Sequence, residues 1–327
     1  MTEVIPQNTM KKNFAMIGVG GYIAPRHMQA IRDTGNRLVA AVDPKDSVGI
    51  LDRYSFDVRF FTEVERFDRH LEKLRRLGNQ EQVDYVSICS PNYLHDAHCR
   101  LALRVGANAI CEKPLVINPW NLDALEEIEA ETGHKIHTIL QLRVHPELLK
   151  LKARIEQEPA GKIHDVLLTY ITSRGNWYHV SWKGQPDKSG GIATNIGVHF
   201  FDLLIWLFGP VQTIKVFQAE PQRMSGWIEL QKARVRWFLS VDRDDLPTAT
   251  RQTNKTTFRS ITIDSEEVEF SEGFTDLHTR VYEQTLAGQG FGIVDARPSI
   301  QLTYDIRHAE ISPVGEMAHP FLKDVRP

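Results

Sequence analysis

Cysteine is scarce: three residues in a chain of 327 cannot build a disulfide framework. Two of them, Cys89 and Cys111, end apolar runs, where a thiol behaves as a small core side chain. A reducing compartment is the expectation. An excess of one charge sign is equally lacking. Lys and Arg number 39 against 42 Asp and Glu, a formal net charge of −3, and no long block of like charges stands out, so binding to nucleic acid or anionic lipid is not expected. No apolar run reaches the roughly 18 residues of a membrane span, and the opening MTEVIPQNTMKKNF lacks an apolar stretch of the signal-peptide kind. The expected location is cytoplasmic, away from any membrane. What remains, at 42% hydrophobic and 25% charged residues, is a globular chain with material for about two domains.

After a flexible N-terminus over residues 1–12, short β-branched runs alternate with amphipathic stretches. That alternation is the pattern of a parallel sheet wrapped by helices. Strands are expected at 13–17, 37–43, 58–61, 83–89, 108–111 and 135–140, with helices at 22–34, 63–77, 94–105 and 118–132. Gly35, Gly78 and Gly106 stop three of these helices. The fold class is therefore α/β, with a doubly wound, Rossmann-type parallel sheet over 13–141. Beyond Gln141 the rhythm changes to long strands at 164–174, 211–219, 226–242, 256–264 and 267–271, which imply a C-terminal α+β domain (142–327) with a large, mostly antiparallel sheet. One helix, 192–208, interrupts them, apolar almost all round and hence expected to be buried. The polar segment 242–254 reads as a hairpin loop.

The first strand runs straight into Gly18-Val19-Gly20-Gly21-Tyr22-Ile23-Ala24. Glycines at such a turn let the backbone approach a pyrophosphate, which then sits on free N–H groups at the helix N-terminus. The usual spacing has one residue inserted here, so which of the three glycines makes the approach stays open. Asp43 ends the second strand about 20 residues on, where a carboxylate accepts hydrogen bonds from the adenosine ribose and repels a 2′-phosphate. NAD is therefore expected over NADP. Ser90-Pro91-Asn92 with His95, and Glu112-Lys113-Pro114, stand at carboxyl ends of strands, the edge where open α/β sheets bind ligands. Pro114 constrains the residue before it, so Lys113 is placed. His95, His98 and Cys99 share a helix face but lack a further ligand cluster, and no metal is expected.

In the second half Gly190-Gly191 opens the greasy helix, and Asn195, His199 and Asp202 fall on one stripe of it. An imidazole titrates where a general base must, and the glycine pair lets a ligand or backbone come close. The preceding loop, Arg174 to Gly184, is dense in Trp, Tyr and cations, which suits both ring stacking with anion pairing and an oligomer interface.

Taken together, the Gly turn, Ser90-Pro91-Asn92 with His95, Glu112-Lys113-Pro114, and Gly190-Gly191 leading to Gly197-x-His199 resemble the glucose-fructose oxidoreductase/inositol dehydrogenase family of NAD(P)-dependent sugar dehydrogenases. The likeness spans the chain. The runs GYIAPRHM, ICEKPL and GGIATNIGVHFFD are similar to the branch that oxidises the C3′ hydroxyl of UDP-N-acetyl-2-amino-2-deoxyglucuronate (UDP-GlcNAcA) during lipopolysaccharide O-antigen synthesis. The resemblance implies an NAD site at Gly18, Gly20, Gly21, Tyr22, Ile23, Asp43, Ser90, Asn92, His95, Glu112 and Gln141. It implies catalysis by His199 as first choice of base, with Lys113 on the same oxygen or in the exchanged role. Asn195 stands where many relatives carry Asp, which removes a negative charge near an anionic sugar. Lys183 or Arg174 is expected at the sugar carboxylate and Arg143 at a phosphate. Further implications are 2-oxoglutarate as hydride acceptor and a homotetramer built as a dimer of dimers. The rival readings are a dehydrogenase of another sugar, inositol or nucleotide sugar, and a non-catalytic dinucleotide-binding protein.

Overall fold

Strand β1 (Asn13–Ile17) is buried at every position, as a strand covered on both faces must be. The computed structural model describes residues 11–78, 80–159, 161–268 and 276–324. Most of the expected flexible N-terminus and part of the strand expected at 267–271 therefore lie outside the described residues. Around β1, strands β2 (Arg37–Val42), β3 (Arg59–Phe61), β4 (Tyr85–Ile88), β5 (Asn108–Cys111) and β6 (Ile136–Thr138) run parallel in the order β3-β2-β1-β4-β5-β6. Helices α1 (Ala24–Asp33), α2 (Val64–Leu77), α3 (His95–Arg104) and α4 (Pro119–Thr132) connect them. The strand order reverses between β1 and β4, and the crevice at that reversal is where such sheets take their ligands.

After α5 (Pro146–Gln157) come β7 (His164–Thr172), the short α6 (Trp177–Val180) and α7 (Pro186–Ser189), α8 (Val198–Phe208), β8 (Val211–Ala219), β9 (Arg223–Leu230), β10 (Ala233–Ser240), α9 (Thr248–Gln252), β11 (Thr257–Ile263) and β12 (Glu266–Glu267). The sheet order is β12-β11-β7-β10-β9-β8. The pairing is antiparallel throughout except that β10 lies parallel to β7. Val166, Leu168, Val235, Trp237 and Leu239 point to one face and pack on Phe201, Leu204 and Phe208 of α8.

Several expectations are corrected here. The single strand expected at 226–242 is a hairpin of β9 and β10, because Leu230 pairs with Ala233 across a two-residue turn at Gln231 and Lys232. Segment 242–254 is no hairpin loop: it holds α9, and β7 lies between β10 and β11. The helix expected at 192–208 begins with a widened π segment, Ala193–Gly197, before α8. The helical run Pro186–Phe208, of 23 residues with mean hydropathy 1.5 over its best window, is long and apolar enough to cross a bilayer, but 72% of that window is buried inside the fold.

The chain also returns on itself. Helix α10 (Leu277–Leu286) lays Leu277, Val281 and Tyr282 into the core beside α1. Helix α11 (Ile293–His308) serves both sheets: Ile293, Ala296 and Ile300 join the first core, and Leu302 and Ile306 the second. A cut of the chain near Gln141 therefore does not separate two independent cores. Finally, α12 (Pro320–Asp324) and the residues before it cover part of the second sheet's outer face, with His319 and Phe321 against Phe238, and Ala318 against Phe217 and Trp227.

Candidate active site

The turn after β1 needs glycine first at Gly18, whose φ is +83° and where a Cβ would lie 2.7 Å from the Cys89 backbone at the end of β4. The amides of Gly21, Ala24 and Arg26 bond back to the carbonyls of Gly18, Gly21 and Ile23. Within the turn, the Tyr22 and Ile23 amides make no such bond, and the Tyr22 side chain is exposed. Gly20 donates its N–H to Asp43 Oδ2 at 2.9 Å, and Lys45 donates to Oδ1 at 2.9 Å. The Asp43 carboxylate is thus fixed at the tip of β2, with lone pairs remaining for ribose hydroxyls. A strand-to-helix turn with free amides and an oriented carboxylate fits a dinucleotide.

At the ends of β4 and β5 the expected residues divide. Asn92 is buried and donates to the Ser189 carbonyl at 2.9 Å and to Asn195 Oδ1 at 3.4 Å, which ties the first sheet's edge to the π segment. Asn195 donates in turn to the Tyr178 hydroxyl at 3.2 Å, anchoring the aromatic loop. Ser90 Oγ is paired with His98 Nδ1 at 2.8 Å. The His95 ring is fully buried, with Nδ1 2.7 Å from the Pro114 carbonyl and Nε2 2.8 Å from that of Ser90. It braces the Glu112-Lys113-Pro114 turn and offers neither nitrogen to a ligand. Glu112 likewise turns its carboxylate inward, onto His27 and His278. Gln141, just after β6, has a buried Oε1 without a partner.

Lys113 reaches across to the second unit: its Nζ donates to the Asn195 carbonyl at 3.3 Å. Next to the π segment Gly190 has a φ of +78°, and a Cβ there would strike Thr194 at 2.6 Å, so glycine lets the chain turn closely into that segment. Burial pushes the Lys113 ammonium down to about 8; Glu112 opposes this, and Lys183 and Arg174 add to it. Burial, with Lys113 next in weight, holds His199 well below the ordinary imidazole range. Lys113 and His199 each keep a partly open surface, so neither is sealed in the core. Lys183 lies over the Trp177 and Trp182 rings at 5.5 and 5.6 Å, and burial lowers its pKa, with Arg174 contributing.

Arg143 is placed elsewhere than expected. Its guanidinium donates to both Asp202 oxygens at 2.7 and 3.0 Å, to Asp295 Oδ1 at 3.1 Å and to the Asp295 carbonyl at 3.0 Å. Both Arg143 and Asp202 are nearly closed to solvent. These bonds use the donors that a phosphate would need and join the short 3₁₀ turn Gln141–Val144 to α8 and α11.

Family models match residues 12–139, described as an oxidoreductase family with an NAD-binding Rossmann fold, and residues 152–265, described as the C-terminal alpha/beta domain of that family. The chain belongs to this oxidoreductase family. Within the family, crystal structures of the WlbA (WbpB) dehydrogenase from Thermus thermophilus share 52% identity, a TM-score of 0.91, 95% of this chain and 99% of theirs. One of these holds NAD and alpha-ketoglutarate, the other NAD and UDP-GlcNAcA. The WlbA dehydrogenase of Bordetella pertussis has the same fold at 21% identity and a TM-score of 0.74, over 95% of this chain and 99% of that one. Inositol 2-dehydrogenase of Rhizobium meliloti is 26% identical over 61% of this chain and 56% of its own length. The curated relatives matched first are aligned over 39%, 49% and 65% of their lengths.

Sequence reasoning about this family member missed His27, His278 and Tyr282. Only His27 carried a local signal: it is a polar side chain among Ala24, Met28 and Ile31 on the buried face of α1.

Proposed function

We propose that this chain oxidises the C3′ hydroxyl of UDP-GlcNAcA to the 3-keto sugar with NAD, one step in building diacetamido-uronic acids for lipopolysaccharide. The observation that carries this reading is the 52% identity over 95% of the chain with an enzyme crystallised with NAD and UDP-GlcNAcA. NAD, when bound, supplies the hydride acceptor. The Gly18 to Ile23 turn takes its pyrophosphate and Asp43 its adenosine ribose. The sugar lies in the cleft between the Lys113 edge and the π segment, with Lys183 and Arg174 toward its carboxylate.

Loss of hydride from a carbinol carbon requires loss of the hydroxyl proton. Lys113, whose ammonium is pushed down to about 8, suits the acceptor near neutral pH, since a base works best when its pKa lies near the working pH. His199, held well below its usual range, stays neutral and orients the hydroxyl by a hydrogen bond. This exchanges the roles first expected of the two. The same cations serve a 2-oxoglutarate molecule that takes the hydride back in a second half-reaction. A cytoplasmic location and assembly as a dimer of dimers belong to the same proposal.

The test is incubation of purified protein with NAD and UDP-GlcNAcA, with and without 2-oxoglutarate, followed by absorbance and mass spectrometry. Expected are a keto product two hydrogens lighter than the substrate and consumption of the 2-oxo acid. Turnover of inositol or free sugars with none of the UDP-sugar would overturn the substrate assignment. Light scattering checks the assembly.

A further inference from the structure

One buried cluster of titratable groups is unused by the mechanism above. Glu112 Oε1 accepts from Nε2 of His27, on α1, at 2.9 Å and from Nε2 of His278, on α10, at 3.0 Å. Its Oε2 accepts the backbone N–H of Lys113 at 3.2 Å. Behind His27, Nδ1 is 2.7 Å from the Tyr282 hydroxyl, which is 2.6 Å from Ser87 Oγ on β4. Elements distant in sequence thus converge on the residue immediately before the proposed proton acceptor. The same three side chains have the composition of a metal-ligand set. Contacts of 2.9 and 3.0 Å are nevertheless the length of charge-assisted hydrogen bonds; they serve Oε1, and the Lys113 amide serves Oε2.

We propose that the Glu112 carboxylate, clamped by His27 and His278, is a positioning residue that holds the Lys113 backbone in register and sets, through its charge, when that lysine gives up its proton. This rests on the reading of Lys113 as acceptor. The groups facing Lys113 are Glu112 beside it in the turn after β5, Lys183 and Arg174 from the aromatic loop, His199 from α8 and His95 from α3. Burial and the two loop cations favour the neutral amine, and Glu112 opposes them. The groups facing Glu112 are His27, His278, His95, Lys113, Cys89, Cys111, Tyr282 and His199. Burial alone would raise the Glu112 carboxyl, but the two imidazole donors outweigh it and hold it well below its ordinary value. Burial keeps the Cys89, Cys111 and Tyr282 groups protonated and lowers His27. The cluster therefore retains a fixed negative charge beside Lys113. Without it a smaller share of the lysine would be protonated at neutral pH, and less of it could return a proton to the alkoxide in the reverse reaction.

The experiment is the pH profile of kcat/KM in wild type, Glu112→Gln and Glu112→Asp, read beside the pH dependence of Lys113 modification by an amine reagent, located by mass spectrometry. The second readout needs no substrate. An absence of UDP-sugar turnover in wild type would therefore count against the proposed function and leave the test of Glu112 in force. In wild type both midpoints should lie near 8. Glu112→Gln should move both down by about one pH unit, and Glu112→Asp should recover most of the shift. Unmoved midpoints in a folded Glu112→Gln protein overturn the proposal. If that variant does not fold, wild type with a carboxyl-labelled Glu112 decides by NMR. A carboxylate signal constant from about pH 5 to 9 supports the proposal, and a titration within that window overturns it.

Discussion

Glu112, beneath the edge of the first sheet, and Asp202, at the seam with the second, are both buried carboxylates, yet the chain holds them by different means. Glu112 is met by imidazole and amide donors. Asp202 is met by a guanidinium that it shares with Asp295. The donors around Glu112 outweigh burial and hold its carboxyl low. At Asp202 burial is the larger influence, and the carboxyl sits above its usual value in spite of Arg143. The difference bears on what each carboxylate is suited to. A negative charge neutralised by an adjacent cation exerts little field beyond the pair, whereas one stabilised by hydrogen-bond donors still acts on its neighbours. The first arrangement suits a joint, and the second suits a place where a lysine must change its protonation.

The comparison breaks most visibly at Lys113, the group on which the Glu112 side converges. Lys113→Ala should slow single-turnover NADH formation by about 10²–10⁴-fold, and His199→Asn by about 10²-fold, the range for a general acid–base group and its hydrogen-bonding partner. Stopped-flow absorbance with excess enzyme reads both. Near wild-type rates in the two variants would remove both residues from the chemistry and leave the Glu112 cluster with nothing to act upon.

On the other side, Arg143→Met should act on stability. It leaves Asp202 buried without its counter-charge, a loss of about 3 kcal/mol, which urea unfolding measures. The KM for UDP-sugar should change little, since the Arg143 donors face Asp202 and Asp295. A KM raised tenfold with stability intact would return Arg143 to the ligand and dissolve the contrast between the two regions.

How far each side was legible follows from the range over which its parts are joined. The Gly18 turn, Asp43 and the β1 to β6 alternation are local: a strand, a turn and a helix carry the signal within some 30 residues. Lys113 and His199 stand out in the sequence for a similar reason, each within its own short motif, and their chemical roles remain the proposal made above. The contacts of Glu112 lie 85 and 166 residues away, and those of Arg143 lie 59 and 152 away, so no window of sequence contains them. Helix α11 escaped because Pro298 lies inside it and its apolar residues face two different cores. The hairpin of β9 and β10 escaped because Gln231 and Lys232 carry no turn signal and leave the alternation unbroken. The π widening at Ala193–Gly197 changes which carbonyl faces Lys113 without changing any residue type, so composition cannot report it.

Acidification should separate the two carboxylates by sign. For Glu112 the folded-state pKa is lowered, so its contribution to stability is complete above the unfolded value of about 4.5 and is lost as pH falls toward the folded one. For Asp202 the folded-state pKa is raised, so ionisation works against the fold above the unfolded value near 3.8, and protonation relieves it as pH falls. The destabilisation caused by Glu112→Gln should therefore shrink as pH falls below about 4.5, and that caused by Asp202→Asn should grow as pH falls toward about 3.8. Urea unfolding of wild type and both variants at several pH values across this window reads the two slopes. Slopes of the same sign would mean that imidazole donors and a guanidinium hold a buried carboxylate in the same way, and the division between joint and chemical site would fail.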